Sequence, residues 1–189
     1  LSYDVSPYNE TLVLDTDVVI NNSVFLKCFE QSNDLLMYKN SYDITGIDRG
    51  QEFTWISNTS VEFYWATCIF FRKTETNKVF FDLVQHIQEN WQHYSSIFQL
   101  STSLFRNDFA FSIAVHIMNG YQSGNFASPM PGVLYYTTDK SILWEIKDDS
   151  LFILLEKPKY TGEYTAFRIK GANVHVMNKF SLNRCIDEH

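Results

Sequence analysis

Two carboxylates, Asp15 and Asp17, stand one residue apart at the end of the apolar run Leu12-Val13-Leu14. On an extended chain, side chains at i and i+2 point the same way, so both acids share a face. At the carboxyl end of a buried strand, that face opens on the crevice where open α/β sheets bind ligands. One oxygen from each acid suits a hard divalent cation, and such a cation can hold a phosphate. The plainer reading is a strand end with two solvated acids, one of them capping the next element. Short D-x-D tripeptides are frequent, and both readings stand on these residues alone. Asp108 follows Asn107 at the start of an expected helix, where either side chain reads as an N-cap. His86, His93 and His116 fall on expected helices without ligand spacing and read as structural. His175 lies in the alternation Val174-His175-Val176, so with the valines inward it is exposed.

The elements that must position these groups follow from the hydrophobic pattern. Residues 10–20, ETLVLDTDVVI, read as one short buried strand, because apolar and β-branched residues run together with little alternation. SVFLKCFEQSNDLLMY gives a short helix turning into a strand near Leu35 to Tyr38. DITGIDRGQ and SNTS carry turn chemistry. VEFYWATCIFFRKT is aromatic and β-branched, the composition of a central strand. Its Tyr64 and Trp65, with Trp55 upstream, have the makings of a stacking surface, although strand aromatics are commoner as core.

In NKVFFDLVQHIQENWQHYSSIF, the residues Val79, Phe80, Leu83, Val84, Ile87, Trp91 and Tyr94 share one face at helical spacing, which predicts one long helix. RNDFAFSIAVHIMNGY predicts a second, stopped by Gly120. PGVLYYTTDK, ILWEIKDDSLFILLEK, EYTAFRIKG and NVHVMNK then read as strands, with Lys147 to Ser150 a hairpin turn. This order predicts an α/β chain with a mixed sheet.

Composition narrows the partners. With 189 residues, 45% hydrophobic and 16% aromatic, the chain can bury a sizeable core as a single domain, 1–189. The net charge is −7 and the 15 Lys and Arg are scattered, which argues against a nucleic-acid groove. No apolar run is long enough for a transmembrane segment, and the first residues lack a signal-peptide layout. Cys28, Cys68 and Cys185 are few, odd in number and widely spaced, so they read as reduced thiols and point to a cytoplasmic location.

SPYNETLVLDTDVVI resembles the metal-binding strand of nucleotide-sugar-dependent glycosyltransferases with the A-type fold. FYWATCIFFRKTE stands where that family has a strand with sugar-contacting residues before a long helix. LFRNDFAFSIAVH resembles its later acidic motif at a helix start, and NVHVMNKFSLNR its returning strand, here without the usual glycine and Pro-Trp. The resemblance implies a mixed-sheet, three-layer α/β fold, with Asp15, Asp17 and His175 as metal ligands. It implies Lys179 as a diphosphate contact and Asp108 as a sugar-binding or catalytic acid. The implied activity is transfer of a sugar from a nucleoside-diphosphate sugar to a glycan or other hydroxyl acceptor. Histidine in the ligand set favours Mn²⁺ over Mg²⁺. The family places a βαβαβ nucleotide-binding half before the acid pair, whereas 14 residues precede Asp15 here. The expected chain is therefore a partial fold, the C-terminal portion of such an enzyme.

Two alternatives remain open on the sequence. LVLDTDVV also fits the opening motif of haloacid-dehalogenase-like phosphatases, with Asp15 as nucleophile and Asp17 as acid/base. That family needs a later lysine and acidic pair, which KSILWEIKDDS supplies only loosely. The third reading is a non-catalytic protein that binds a sugar or nucleotide.

Overall fold

The computed structural model describes residues 2–46, 54–57, 61–100, 102, 104–156 and 162–187. In chain order its elements are α1 (Ser2–Val5), β1 (Glu10–Leu14), β2 (Val18–Val19), a 3-10 helix (Val24–Glu30), β3 (Leu35–Tyr38), β4 (Ser41–Asp43) and β5 (Trp65–Arg72). Then follow α2 (Glu75–Glu89), α3 (Trp91–Ile97), α4 (Asn107–Met118), β6 (Ser128–Pro129) and β7 (Leu134–Tyr136). The chain continues through β8 (Ile142–Lys147), β9 (Ser150–Glu156), β10 (Tyr164–Lys170), β11 (Asn173–His175) and α5 (Lys179–Asp187). The class is α/β with mixed sheets, as the element order predicts. The turns expected over residues 43–51 and 57–60 lie largely outside the described residues. No helix among the described residues is long and apolar enough to cross a membrane.

The chain folds as two compact units, the first comprising Leu1–Leu14, Leu26–Asn40 and Arg49–Pro131. Its sheet has the order β1-β5-β3-β6, antiparallel except for the parallel β3–β6 pair. β3 is buried at every position and β5 at nearly every one, which explains their unbroken apolar runs. Thr74 caps α2, its side chain accepting a bond from the Asn77 amide.

The long helical pattern is in fact two helices, broken at Asn90. The buried stripe of α2 runs Asn77, Phe80, Phe81, Val84 and Ile87, while Val79 faces out. Asn77 can occupy that apolar face because its amide donates to the Asp34 and Arg72 carbonyls. Phe81 is the hub of an aromatic cluster, edge-on to Phe71 at 4.9 Å, to Phe80 at 5.3 Å and to Phe111 at 6.0 Å. Tyr3 of α1 stacks on Phe81 at 5.2 Å and donates its hydroxyl to the Thr74 carbonyl, tying the first residues down. Tyr64 and Trp65 are core residues here.

The second unit comprises Asp15–Phe25, Ser41–Asp48 and Gly132–His189. One of its sheets has the order β2-β11-β7-β4, antiparallel at β2–β11 and parallel elsewhere. The other is the antiparallel meander β10-β9-β8, whose β8–β9 hairpin turns at Asp148 with φ +53°. Leu143, Leu151, Ile153, Val174, Val176, Leu182 and Cys185 form the core of this unit. The closing helix α5 is not expected from the sequence. Its buried face is only Ser181, Leu182 and Cys185, too weakly apolar to register as periodic. Polar bonds to β8 add to the packing of Leu182 and Cys185: the Ser181 hydroxyl accepts from the Leu143 amide, and Arg184 donates to the Leu143 carbonyl.

Candidate metal centre

The acid pair does not lie on a strand. β1 ends at Leu14, and Asp15 opens a turn closed by the Val18 amide donating to the Asp15 carbonyl at 3.2 Å. Period-2 alternation therefore cannot be what aligns the two carboxylates, and their environments differ: Asp15 is exposed, while the Asp17 side chain is only 7% exposed. They are nonetheless brought together with a third donor. One ligand atom each from Asp15, Asp17 and His175 lie within 4.8 Å of one another.

The returning strand supplies the histidine. β11 pairs antiparallel with β2, setting Val174 opposite Val19 and His175 opposite Val18. The Val176 amide then donates to the Asp17 carbonyl at 2.8 Å. Val174 and Val176 are buried as the alternation requires, yet His175 is not exposed; its side chain is turned against Asp17, with Nε2 3.3 Å from Oδ1. That oxygen is fully buried and, among the described residues, accepts no hydrogen bond of good geometry. A buried carboxylate oxygen left this way is costly unless a cation completes it.

The other Asp17 oxygen, Oδ2, lies 3.3 Å from Nζ of Lys179. Lys179 is the first residue of α5, whose start is capped by Asn178 Oδ1 accepting from the Ser181 amide. A cation in the first turn of a helix opposes the helix dipole, so α5 itself gains nothing from this lysine. Its pairing with Asp17 offsets that cost, while most of the side chain, 72%, faces solvent.

Asp108 belongs to the first unit and is not the N-cap of α4; neither is Asn107. The helix starts at Asn107 with Arg106 at the cap position and no side-chain cap bond. Both Asp108 oxygens are engaged: Oδ1 accepts from the Ala66 amide at 2.8 Å, and Oδ2 from Arg106 at 2.8 Å. One turn on, Ser112 accepts from the Tyr64 amide and donates to the Asp108 carbonyl. Asp108 thus fastens the start of α4 to β5.

His86 and His93 are exposed on their helices, and His116 is buried on α4. Burial lowers the His116 pKa below the ordinary histidine value, against a smaller upward pull from Glu62. Burial, aided by Glu62, pushes the Tyr64 hydroxyl up to about 12. Trp55 is partly exposed at an isolated bridge to Glu62.

The sequence does not single out a cluster of amides beside the acid turn. Asn173 of β11 accepts the Asn21 and Asn22 backbone amides on its Oδ1 and donates Nδ2 to Asn22 Oδ1. Asparagines next to turns are ordinary, and only the long-range pairing gives these a distinct role.

The chain matches no protein-family model, no curated protein and no solved structure.

Proposed function

We propose that the chain is a metal-dependent glycosyltransferase component that uses a divalent cation to hold the diphosphate of a sugar nucleotide. The observation that carries the metal part is the convergence of Asp15, Asp17 and His175 within 4.8 Å, with a buried Asp17 oxygen that accepts no hydrogen bond from the described residues. Two carboxylates and an imidazole form a mixed O and N donor set, which suits Mn²⁺ better than Mg²⁺. The nucleotide-sugar part rests on the resemblance of the LDTD and NVHVMNK segments to A-type glycosyltransferases, and with it the three-layer form of that fold.

In this reading each residue has a separate task. Asp17, buried, and His175, partly buried beside it, form the fixed side of the site, held by the β2–β11 pairing. Asp15, exposed at the opening of the turn, completes the donor set from the solvent side. Lys179 projects its amine into solvent beside Asp17, where it meets a phosphate oxygen of the donor. The bound cation supplies positive charge that offsets the charge developing on the diphosphate leaving group. Asp108, with both oxygens engaged, is assigned to positioning β5 and α4, with a sugar contact as its remaining role.

The phosphatase alternative draws less support. Its candidate acidic pair, Asp148 and Asp149, forms the β8–β9 hairpin turn, where Asp149 pairs with Lys170 at 3.6 Å.

The deciding experiment is calorimetry of the chain with Mn²⁺, then with a nucleoside diphosphate in the presence and absence of Mn²⁺. The reading expects metal binding, and nucleotide binding only when the metal is present. A trapped aspartyl-phosphate at Asp15, or nucleotide binding indifferent to Mn²⁺, overturns it.

A further inference from the structure

We infer that Asn173 is a positioning residue that locks the register of the β2–β11 pair and so brings His175 to Asp17; as far as it concerns metal binding, the inference rests on the proposed metal centre. β2 has two residues and β11 three, and strands this short do not fix their own register. A slip of one residue turns every side chain to the opposite face, which would carry His175 away from the acid turn. Something beyond the ladder must hold the pairing.

The amide cluster does so from the far end of the pair. Asn173 is completely buried, and its Oδ1 accepts two backbone amides of the opposite segment, Asn21 at 2.9 Å and Asn22 at 3.2 Å. Its Nδ2 donates to Asn22 Oδ1 at 3.1 Å, and that same oxygen accepts the Val24 amide at 3.0 Å. Asn22 and Asn21 reciprocate, donating their side-chain amides to the Gly171 carbonyl at 2.7 Å and the Ala172 carbonyl at 3.1 Å. Six hydrogen bonds thus cluster at one end of a four-residue ladder, five of them joining residues about 150 apart in sequence. They end two residues before His175 on one strand and four after Asp17 on the other. Only one register satisfies all of them, and in that register the Val176 amide meets the Asp17 carbonyl.

Asn173 touches no ligand atom, so its effect must pass through geometry. Outer partners of this kind typically change metal affinity 10–100-fold when removed. The test compares Mn²⁺ affinity by calorimetry in the wild type, Asn173→Ala, Asn22→Ala and Leu151→Ala, at a temperature where circular dichroism shows each folded. Asn22 is exposed, so its variant tests the lock even where Asn173→Ala does not fold. Leu151, buried in the same unit, is the control for general destabilisation.

The expected result is Mn²⁺ affinity weakened about tenfold or more in the asparagine variants and within about twofold of wild type in Leu151→Ala. A cross-strand nuclear Overhauser contact between Val18 and His175 should be lost or weakened in the asparagine variants without metal. Unchanged affinity and an intact Val18–His175 contact in the folded asparagine variants overturn the lock and leave the metal centre standing. Absence of Mn²⁺ binding in the wild type overturns the metal centre instead, and the cross-strand contact then decides the lock by itself.

Discussion

The Asp17 carboxylate sits between two cationic or potentially cationic groups, 3.3 Å from His175 Nε2 through one oxygen and 3.3 Å from Lys179 Nζ through the other. Both partners follow β7 in the chain, more than 150 residues after Asp17, and both depend on the strand-to-helix passage from β11 into α5. This makes Asp17 the anchor of the centre and Asp15 its exposed accessory. Asp17→Asn should weaken Mn²⁺ binding by about a hundredfold or more, since it removes a charge that is held in place and poorly solvated. Asp15→Asn, altering an exposed and solvated ligand, should cost about tenfold. Calorimetric titration of the two variants checks the order; equal losses would remove the distinction between anchor and accessory.

Lys179 separates two roles that a lysine beside a metal site can take. If it meets the donor diphosphate, Lys179→Met weakens nucleoside-diphosphate binding in the presence of Mn²⁺ by about tenfold, near 1.4 kcal/mol. Affinity for Mn²⁺ alone should hold or rise, because a positive charge next to Asp17 has been removed. Weaker Mn²⁺ binding in this variant would mean that the lysine serves only to hold Asp17 in place.

Asp108 offers a sharper separation of structure from chemistry. Asp108→Ala leaves the Ala66 amide without its acceptor and frees Arg106, at a cost of about 1–3 kcal/mol in denaturant unfolding. Asp108→Asn keeps an oxygen for the Ala66 amide and should recover most of that loss. Transfer activity abolished in a stable Asp108→Asn variant would restore a chemical role to this carboxylate.

How much of this was legible in the sequence differs from group to group. β3, β5 and the α2 face announce themselves through unbroken or periodic apolar runs, because burial alone dictates those residue types. The break at Asn90 and the outward Val79 do not, since a single polar residue and one misplaced valine barely alter a helical period. α5 is silent because its apolar share of the core is only Leu182 and Cys185, with hydrogen bonds at Ser181 and Arg184 adding to them. At the centre, Asp15 and Asp17 are readable as a pair, but the alternation argument for their alignment fails at the turn between β1 and β2. His175 is the opposite case: the alternation correctly buries its valine neighbours, and yet its own environment is set by a strand more than 150 residues away. The asparagine cluster is legible only once that pairing is known.

His116 makes the first unit less stable at acid pH. Burial holds its folded pKa below the ordinary value near 6.5, so the unfolded chain takes up the proton first as pH falls. Stability is therefore retained above about pH 6.5, declines as pH drops below it, and levels off beneath the depressed folded value. Glu62, which lines the same cleft, pulls the other way and softens the decline. Urea midpoints between about pH 7.5 and about pH 5 should fall more for the wild type than for His116→Leu. Parallel profiles would show that His116 does not titrate differently on folding.

Cys28 turns the aromatic core into something that can be timed. Its thiol is buried, 3.8 Å from the Met130 sulfur, and burial pushes its pKa up to about 11. Near pH 8 little of it is the reactive thiolate, and the buried sulfur has no access to reagent. Native Cys28 should therefore alkylate only when its surroundings open, and its labelling rate should follow the free energy of that opening. Phe80→Ala empties a position that is edge-on to Phe81 and Phe111 and tilted against Phe126, a loss of about 3–5 kcal/mol. If Cys28 is exposed by opening of the whole first unit, this variant labels more than about a hundredfold faster at equal thiolate fraction. If the 3-10 helix carrying Cys28 opens locally, the rate is insensitive to Phe80, and mass spectrometry of labelled peptides over time separates the two.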